Sequence, residues 1–323
     1  MKADSIQLRT KMADYERQIK ALSANNKALE KENVRLAESR ERAVKARKPA
    51  QIKPAKRVSL KRQEVRFMIP DTHGCMIDPV VAAVYIADIK MLDPDVIILL
   101  GDHVDCGGFL DEKHTLGYVA QTDYTYEEDL AAANHFLDAV QKAAPRARYH
   151  YLEGNHEYRV ERQCVKWAKQ NRRDAEAMRQ REPPEFLLNL KDRGIRYYRQ
   201  SVCYDGVKVP GTLKLTKCHY SHGWRTGKSA PLQMAQDVGG NIVYGHKHTA
   251  GYATATSVVG GEWAAFCPGC GCKKQPLYQH SRPTDWNHGD AVQILSAQGN
   301  FIHINNPIIN GQSMLGPLMN QKA

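Results

Sequence analysis

A chain of 323 residues that is 42% hydrophobic and 8% aromatic has apolar mass for one large folded domain or two small ones, which excludes a disordered chain. No window approaches about 18 continuous apolar residues, and the opening MKADSIQLRTKMADYERQ has no apolar run, so neither a membrane span nor a secretory leader is expected. The net charge of +11 is concentrated, with ten Lys or Arg against two Glu between Glu41 and Arg66; the eight cysteines, in a chain without export, are read as reduced thiols in a cytoplasmic setting.

Residues 1–44 lack Pro and Gly and are rich in Ala, Glu, Lys, Arg and Leu. Leu8, Tyr15, Leu22, Leu29 and Leu36 recur every seven residues, and Met12, Ile19, Asn26 and Asn33 follow four residues after the first four. This is a heptad repeat with the first set at d and the second at a. The two a-position Asn cost stability but specify register, so the segment predicts a coiled coil through which the chain pairs with itself, as a parallel dimer. Residues 45–63, KARKPAQIKPAKRVSLKRQ, follow as a basic linker. Pro49 and Pro54 end the helix, and the lysines and arginines either contact a nucleic-acid phosphate backbone or keep a solvated tether extended.

From Glu64 the pattern becomes alternating. EVRFMI is a strand ending at PDTHG, DPVVAAVYIADIKML an amphipathic helix, and DVIILL an apolar strand ending at GDHVD. YEEDLAAANHFLDAVQKAA is a second helix, RYHYLE a strand ending at GNHE, and a charged helix follows. IRYYRQ, KLTKCHYSHG, NIVYGHKH and AVQILSAQGNFIHI read as further strands. The alternation predicts an α/β core over 64–310, with a β-richer second half and a loose tail at 311–323.

Each core strand ends in a polar cluster, the place where open α/β sheets build their sites. The clusters are Asp71-Thr72-His73, Gly101-Asp102-His103-Val104-Asp105, Gly154-Asn155-His156-Glu157, His222-Gly223 and Gly245-His246-Lys247-His248. Carboxylates, an amide and imidazoles in this mixture suit Mn, Fe, Zn or Ni rather than calcium, and their number exceeds one site. Two neighbouring ions need one shared carboxylate and about three further ligands each.

The series DTH, GDHVD, GNHE, HG and GHKH resembles the calcineurin-like metallophosphoesterases, whose pattern is D-x-H, G-D-x-x-D, G-N-H-D/E, H and G-H-x-H in that order. The resemblance runs from about Glu64 to about Ile304. It implies a four-layer αββα sandwich of two mixed β-sheets, preceded here by the coiled-coil helix. It also implies two divalent ions, Mn foremost. Asp71, His73 and His248 would hold the first ion, Asn155, His222 and His246 the second, and Asp102 would bridge them. The ions would activate a bridging water or hydroxide. His156 would protonate the leaving oxygen, with Asp105 fixing its tautomer. Glu157 would steady the turn.

Cys106 departs from the GDxVDRG of protein phosphatases, which place a phosphate-binding Arg there, and GHKH is not their ending. Arg159 and Arg162, on the first turns after GNHE, are candidate phosphate contacts. CPGCGC could join Cys203 or Cys218 in a zinc knuckle but is read as a Gly-Pro loop with reduced thiols. The run from PGCGC to Leu295 also resembles, more weakly, metallophosphoesterases of phage and prophage genomes, for which the setting would be the host cytoplasm. The expected activity is phosphoester hydrolysis, with nucleic acid favoured as substrate (a nuclease). The alternatives are a phosphomonoesterase, a nucleotide or protein phosphatase, or a non-catalytic nucleic-acid-binding or scaffold protein.

Overall fold

The computed structural model describes residues 63–106, 124–199, 201–204, 207–258, 260–276 and 283–315, with four isolated helical and exposed positions, Lys20, Ala24, Lys27 and Lys31. The chain divides into two units, Met1–Gln51 and Ile52–Ala323. Apart from the isolated positions and Gln63, the predicted coiled coil of 1–44 and basic linker of 45–63 lie outside the described residues.

The first half alternates as its sequence pattern predicts. Strand β1 (Glu64–Ile69) leads through a short 3-10 turn to helix α1 (Pro79–Leu92), then to β2 (Val96–Leu99), α2 (Tyr126–Ala143) and β3 (Arg148–Leu152). Helix α1 begins where the Asp78 carboxylate accepts from the amides of Val80 and Val81, with Pro79 at its first position. Helix α2 begins at a capping box, in which Thr125 and Glu128 satisfy each other's backbone amides. After β3 come α3 (Tyr158–Ala168), α4 (Arg172–Arg181), the short α5 (Pro184–Leu187) and β4 (Ile195–Tyr198).

The second half is mostly strands: β5 (Ser201–Tyr204), β6 (Val207–Pro210), β7 (Thr212–Leu215), β8 (Cys218–Ser221), then α6 (Ala230–Val238) and β9 (Asn241–Tyr244). It finishes with β10 (Gly251–Ser257), β11 (Gly261–Cys267), β12 (Gly289–Leu295), β13 (Phe301–Ile309) and β14 (Gln312–Ser313). The expected loose tail starts too early. Ile308 and Ile309 pair with Ser313 and Gln312, and Leu315 is buried in the core, so the ordered domain runs past Asn310. Apolar Leu315 has a core site to fill, which outweighs the fraying expected near a chain end.

Among these strands, seven form one mixed sheet in the order β14-β13-β12-β1-β2-β3-β4, and five form a second in the order β10-β11-β9-β8-β7. In the first, β1 to β4 run parallel and β12 joins antiparallel to β1; in the second, β8, β9 and β11 are parallel. Strand alternation separates the core into layers. Phe67, Ile69, Ile97 and Leu99 face Tyr85, Ile89, Phe136 and Val140 of α1 and α2. Met68, Ile98 and Leu152 face Tyr220, Cys218 and Val243 of the second sheet. Ile242 and Tyr244 point outward against Met234 and Ala235 of α6. The result is the four-layer αββα sandwich of two mixed sheets. Among the described residues no helix is long and apolar enough to cross a membrane.

Register positions the site. Ile69 lies beside Leu99, and Leu99 beside Tyr151, so the loops after β1, β2 and β3 leave the first sheet at one edge. Ser221 lies beside Tyr244, so His222 and Gly245-His246 leave the second sheet together.

Candidate active site

The five strand-end loops bring the predicted residues into one buried cluster. Asp71, His73, Asp102 and His248 each offer a ligand atom within 4.8 Å of the others, and Asp102, His222 and His246 form a second such group. Asp102 belongs to both. The Asn155 amide oxygen lies 2.9 Å from His222 Nε2, which places it with the second group. Four of these residues, His73, Asp102, His246 and His248, hold left-handed backbone with φ of 52°, 52°, 65° and 59°. Such conformations cost about 1–3 kcal/mol each in non-glycine residues and persist where surrounding bonds enforce them. Close approach of the backbones also requires Gly154, because a Cβ there would lie 2.0 Å from Asp102 Oδ1.

The bonds that hold these conformations are explicit. The buried Glu157 carboxylate accepts from the amides of Asp102 (3.0 Å), His103 (2.8 Å) and Gly154 (2.9 Å) and from the Tyr151 hydroxyl (2.6 Å). It therefore clamps the loop after β2 to the loop after β3. Burial, with the negative charge of Asp102, pushes its pKa up to about 8. Asp129, in the first turn of α2, accepts from the amides of Cys75, Asp105 and Cys106 at 3.0, 2.9 and 2.8 Å, tying the loop after β1 to the loop after β2. Burial, reinforced by Asp105, raises it to about 6. The sequence reading missed Asp129. The available signal was its position: it falls on the apolar stripe of Ala133, Phe136 and Val140, where a carboxylate needs partners.

Asp105 holds two imidazoles rather than the one expected. Its Oδ1 accepts from His73 Nδ1 at 3.0 Å and lies 2.9 Å from His156 Nδ1, which donates to the Asp105 carbonyl at 3.2 Å, while the Tyr124 hydroxyl donates to Oδ2. With Nδ1 protonated, His156 presents a lone pair at Nε2, and there it accepts from Arg159 Nη2 at 3.0 Å. Arg159 Nη1 also donates to the Asp105 carbonyl at 2.8 Å. The guanidinium thus sits beside Cys106, which is buried and turned inward at φ 53°. Burial lowers the pKa of His156, against the raising influence of Asp102. Arg162 is half-buried one turn further along α3.

The donor set fits cations. His222 Nδ1 must donate to the Leu100 carbonyl at 2.9 Å, because that oxygen only accepts, so its Nε2 lone pair faces Asp102 Oδ2 at 3.2 Å and His246 Nδ1 at 3.1 Å. His73 gives its Nδ1 proton to Asp105, which leaves its Nε2 facing His248 Nε2 at 3.2 Å. Lone pairs aimed at one another and at carboxylates repel unless a proton or cation lies between them. The charge balance points the same way. Burial works against protonated His222, yet Asp102 and Asp71 push its pKa up to about 10, and imidazoles headed by His222 hold Asp102 well below the carboxylate range despite burial. The interior at this point is built around positive charge.

Other polar groups are structural. His103 donates or accepts at Thr72 Oγ1 and lies edge-on to Tyr151, and burial lowers its pKa to about 3. Cys218 lies against Gln293, and among the described residues no converging metal-ligand group combines Cys218, Cys267 and Cys270, so that part of a zinc knuckle is not formed.

The sequence matches the calcineurin-like phosphoesterases over residues 68–250, more than half of the chain. The chain belongs to this family of hydrolases, which act on phosphoester bonds and use two metal ions. Similar solved structures include vacuolar protein sorting 29 from Cryptosporidium parvum, 10% identical, covering 78% of this chain and 95% of that one with a TM-score of 0.39. The phosphoesterase Yfce from E. coli is 14% identical, covering 75% and 98% with a TM-score of 0.34. TT1561 of Thermus thermophilus is 9% identical, covering 75% and 99% with a TM-score of 0.30. No curated protein matches the chain.

Proposed function

We propose that this site hydrolyses phosphodiester bonds of nucleic acid. Asp71, His73 and His248 would hold one divalent ion and Asn155, His222 and His246 the other, with Asp102 belonging to both groups. When bound, the ions supply Lewis acidity and an activated water. The chain's own residues do the rest. The neutral ligands Asn155, His222 and His246 limit negative charge where an anionic phosphate must approach. Asp105 holds the Nδ1–H of His156, so that Nε2 is the nitrogen that faces the substrate and, once the ring has taken up a second proton from solvent as the imidazolium, hands that proton to the leaving oxygen. Arg159, already at that nitrogen, meets a phosphate oxygen there and neutralises its charge.

The observation that carries the choice of a polyanion is a basic stripe. Arg159, Arg162 and Lys166 recur at helical spacing along α3, starting beside His156, Lys169 caps its end, and both lysines are exposed. The basic linker at 45–63 adds charge of the same sign, and the coiled coil would pair two such chains.

The test runs DNA, RNA, mononucleotides, a phosphopeptide and bis-p-nitrophenyl phosphate side by side with the metal-loaded full chain. Charge reversal at Lys166 and Lys169 is expected to cut polymer cleavage and flatten its salt dependence while sparing the small diester. Equal loss on both substrates, or turnover confined to monoesters, contradicts the nucleic-acid reading.

A further inference from the structure

The cluster contains one more potential ligand, which the seven-residue set does not use. The Cys272 sulfur lies within 4.8 Å of ligand nitrogens of both His73 and His248, and all three residues are buried. This placement is built by backbone bonds on both sides of the thiol: after it, Lys273 N donates to the Met76 carbonyl at 2.8 Å. Gly271 N donates to the Asp71 carbonyl at 2.8 Å, and Asp78 N donates to the Gly271 carbonyl at 3.0 Å. Cys272 also pairs with Ile77 in a β-bridge. Gly271 has no room for a side chain, since a Cβ would lie 2.9 Å from the Tyr85 ring and 3.1 Å from Thr72. The CPGCGC loop is thereby pressed against the loop that carries Asp71 and His73.

The same loop reaches His248. Cys270 N donates to the Asn287 carbonyl at 2.9 Å, and Asn287 N donates to the His248 carbonyl at 3.0 Å. Trp286 stands edge-on to the His248 ring, with centroids 4.1 Å apart. The Cys270 thiol donates to the Cys272 carbonyl at 3.9 Å.

Chemistry then decides what the sulfur is for. Zinc–sulfur and zinc–nitrogen bonds of about 2.3 and 2.0 Å put sulfur and nitrogen ligands of one ion within about 4 Å of each other. The two imidazoles and the sulfur fall in that range after small shifts. The sulfur lies outside the mutual range of the group that contains Asp71 and Asp102, so it approaches away from at least one carboxylate. That direction is available in a shell of more than four ligands. A thiolate in an otherwise nitrogen-and-oxygen set favours zinc, iron or cobalt over manganese or magnesium.

We propose that Cys272 is a thiolate ligand of the ion held by Asp71, His73 and His248, and that it tunes this position toward a thiophilic metal. Cys270 is a positioning residue that holds the backbone of Cys272 through its thiol. The proposal rests on the two-metal reading of the site and replaces its expectation of manganese at this position.

The full chain, stripped by a chelator and reloaded with cobalt(II), provides the test. The wild type and Cys270→Ser are expected to show a near-ultraviolet thiolate-to-cobalt charge-transfer band. Cys272→Ser is expected to bind the same amount of cobalt without it, and its preference for zinc over manganese should fall at least about tenfold. X-ray absorption of the zinc-loaded wild type needs no variant, and should show one sulfur scatterer at about 2.3 Å shared between the two ions. Only nitrogen and oxygen scatterers around bound zinc, or a band that survives Cys272→Ser, overturn the sulfur ligand and leave the phosphoesterase reading standing. Failure of the wild type to take up any metal overturns both.

Discussion

The two sheets contribute unequally to the site. On the first sheet, the loops after β1, β2 and β3 are bound to one another by buried carboxylates. Glu157 gathers three amides and a hydroxyl, Asp129 gathers three amides, and His156 N donates to Asp102 Oδ1 at 2.8 Å. On the second sheet, the histidines lean on the first half. His222 Nδ1 donates to Leu100, and His246 N donates to Asp71 at 3.0 Å. His248 Nε2 lies 3.1 Å from Asp71 Oδ1. One half is rigid because many donors share few acceptors; the other is ordered by what it docks against. The second half should therefore depend on Asp71, Asp102 and bound cations more than the first half does.

Asp102→Ala tests the junction between the halves and carries the largest expected effect. It should lower turnover by at least about a thousandfold and reduce the number of metal ions bound, since both ligand groups lose a member. Retention of full metal content and activity would show that the groups are independent.

His156→Ala probes the rigid half without removing a proposed metal ligand. Turnover of an alkyl phosphodiester is expected to fall by about 10³-fold, and that of bis-p-nitrophenyl phosphate by far less, because nitrophenolate leaves without a proton. Equal losses on both substrates would mean that His156 acts by something other than protonation.

The buttress of the rigid half can be titrated. Asp129 has a folded-state pKa of about 6, above the ordinary 3.8, so the folded chain holds this proton more tightly than the unfolded chain does. The associated stabilisation is complete below about pH 4 and is lost as pH rises through about 6, which amounts to about 3 kcal/mol. Denaturant unfolding across that window should lose about 3 kcal/mol more in the wild type than in Asp129→Asn as pH rises; parallel curves would contradict the assignment.

Chelation gives the smallest and most local effect. On removal of metal, amide exchange at 245–249 should accelerate by about tenfold, while that at 154–157 changes little. Equal acceleration in both loops would erase the distinction between the halves.

These two halves also differ in how much of them could be read from the sequence. Candidate ligands stood out in both, because they sit at the ends of hydrophobic strands beside glycine, where a buried core has no other use for clustered Asp, Asn and His. The alternation of strands and helices through β3 was legible for the same reason, since side-chain period follows backbone geometry. What stayed hidden depends on tertiary contacts between distant segments. Nothing local in CPGCGC places Cys272 beside His73; that follows from Gly271 bonding to Asp71 across the fold. The clamp made by Glu157 was visible only as a steadied turn, and Asp129 looked like one more acidic residue at a helix start. The place of β12 beside β1 and the core site filled by Leu315 are likewise set by pairing across many residues, not by propensity.

The central claim is that two ions share Asp102. Electron paramagnetic resonance of the manganese-loaded full chain tests it most directly. An exchange-coupled pair is expected in the wild type, giving way to uncoupled, single-ion signal in Asp102→Asn. An uncoupled spectrum from the fully loaded wild type would contradict it.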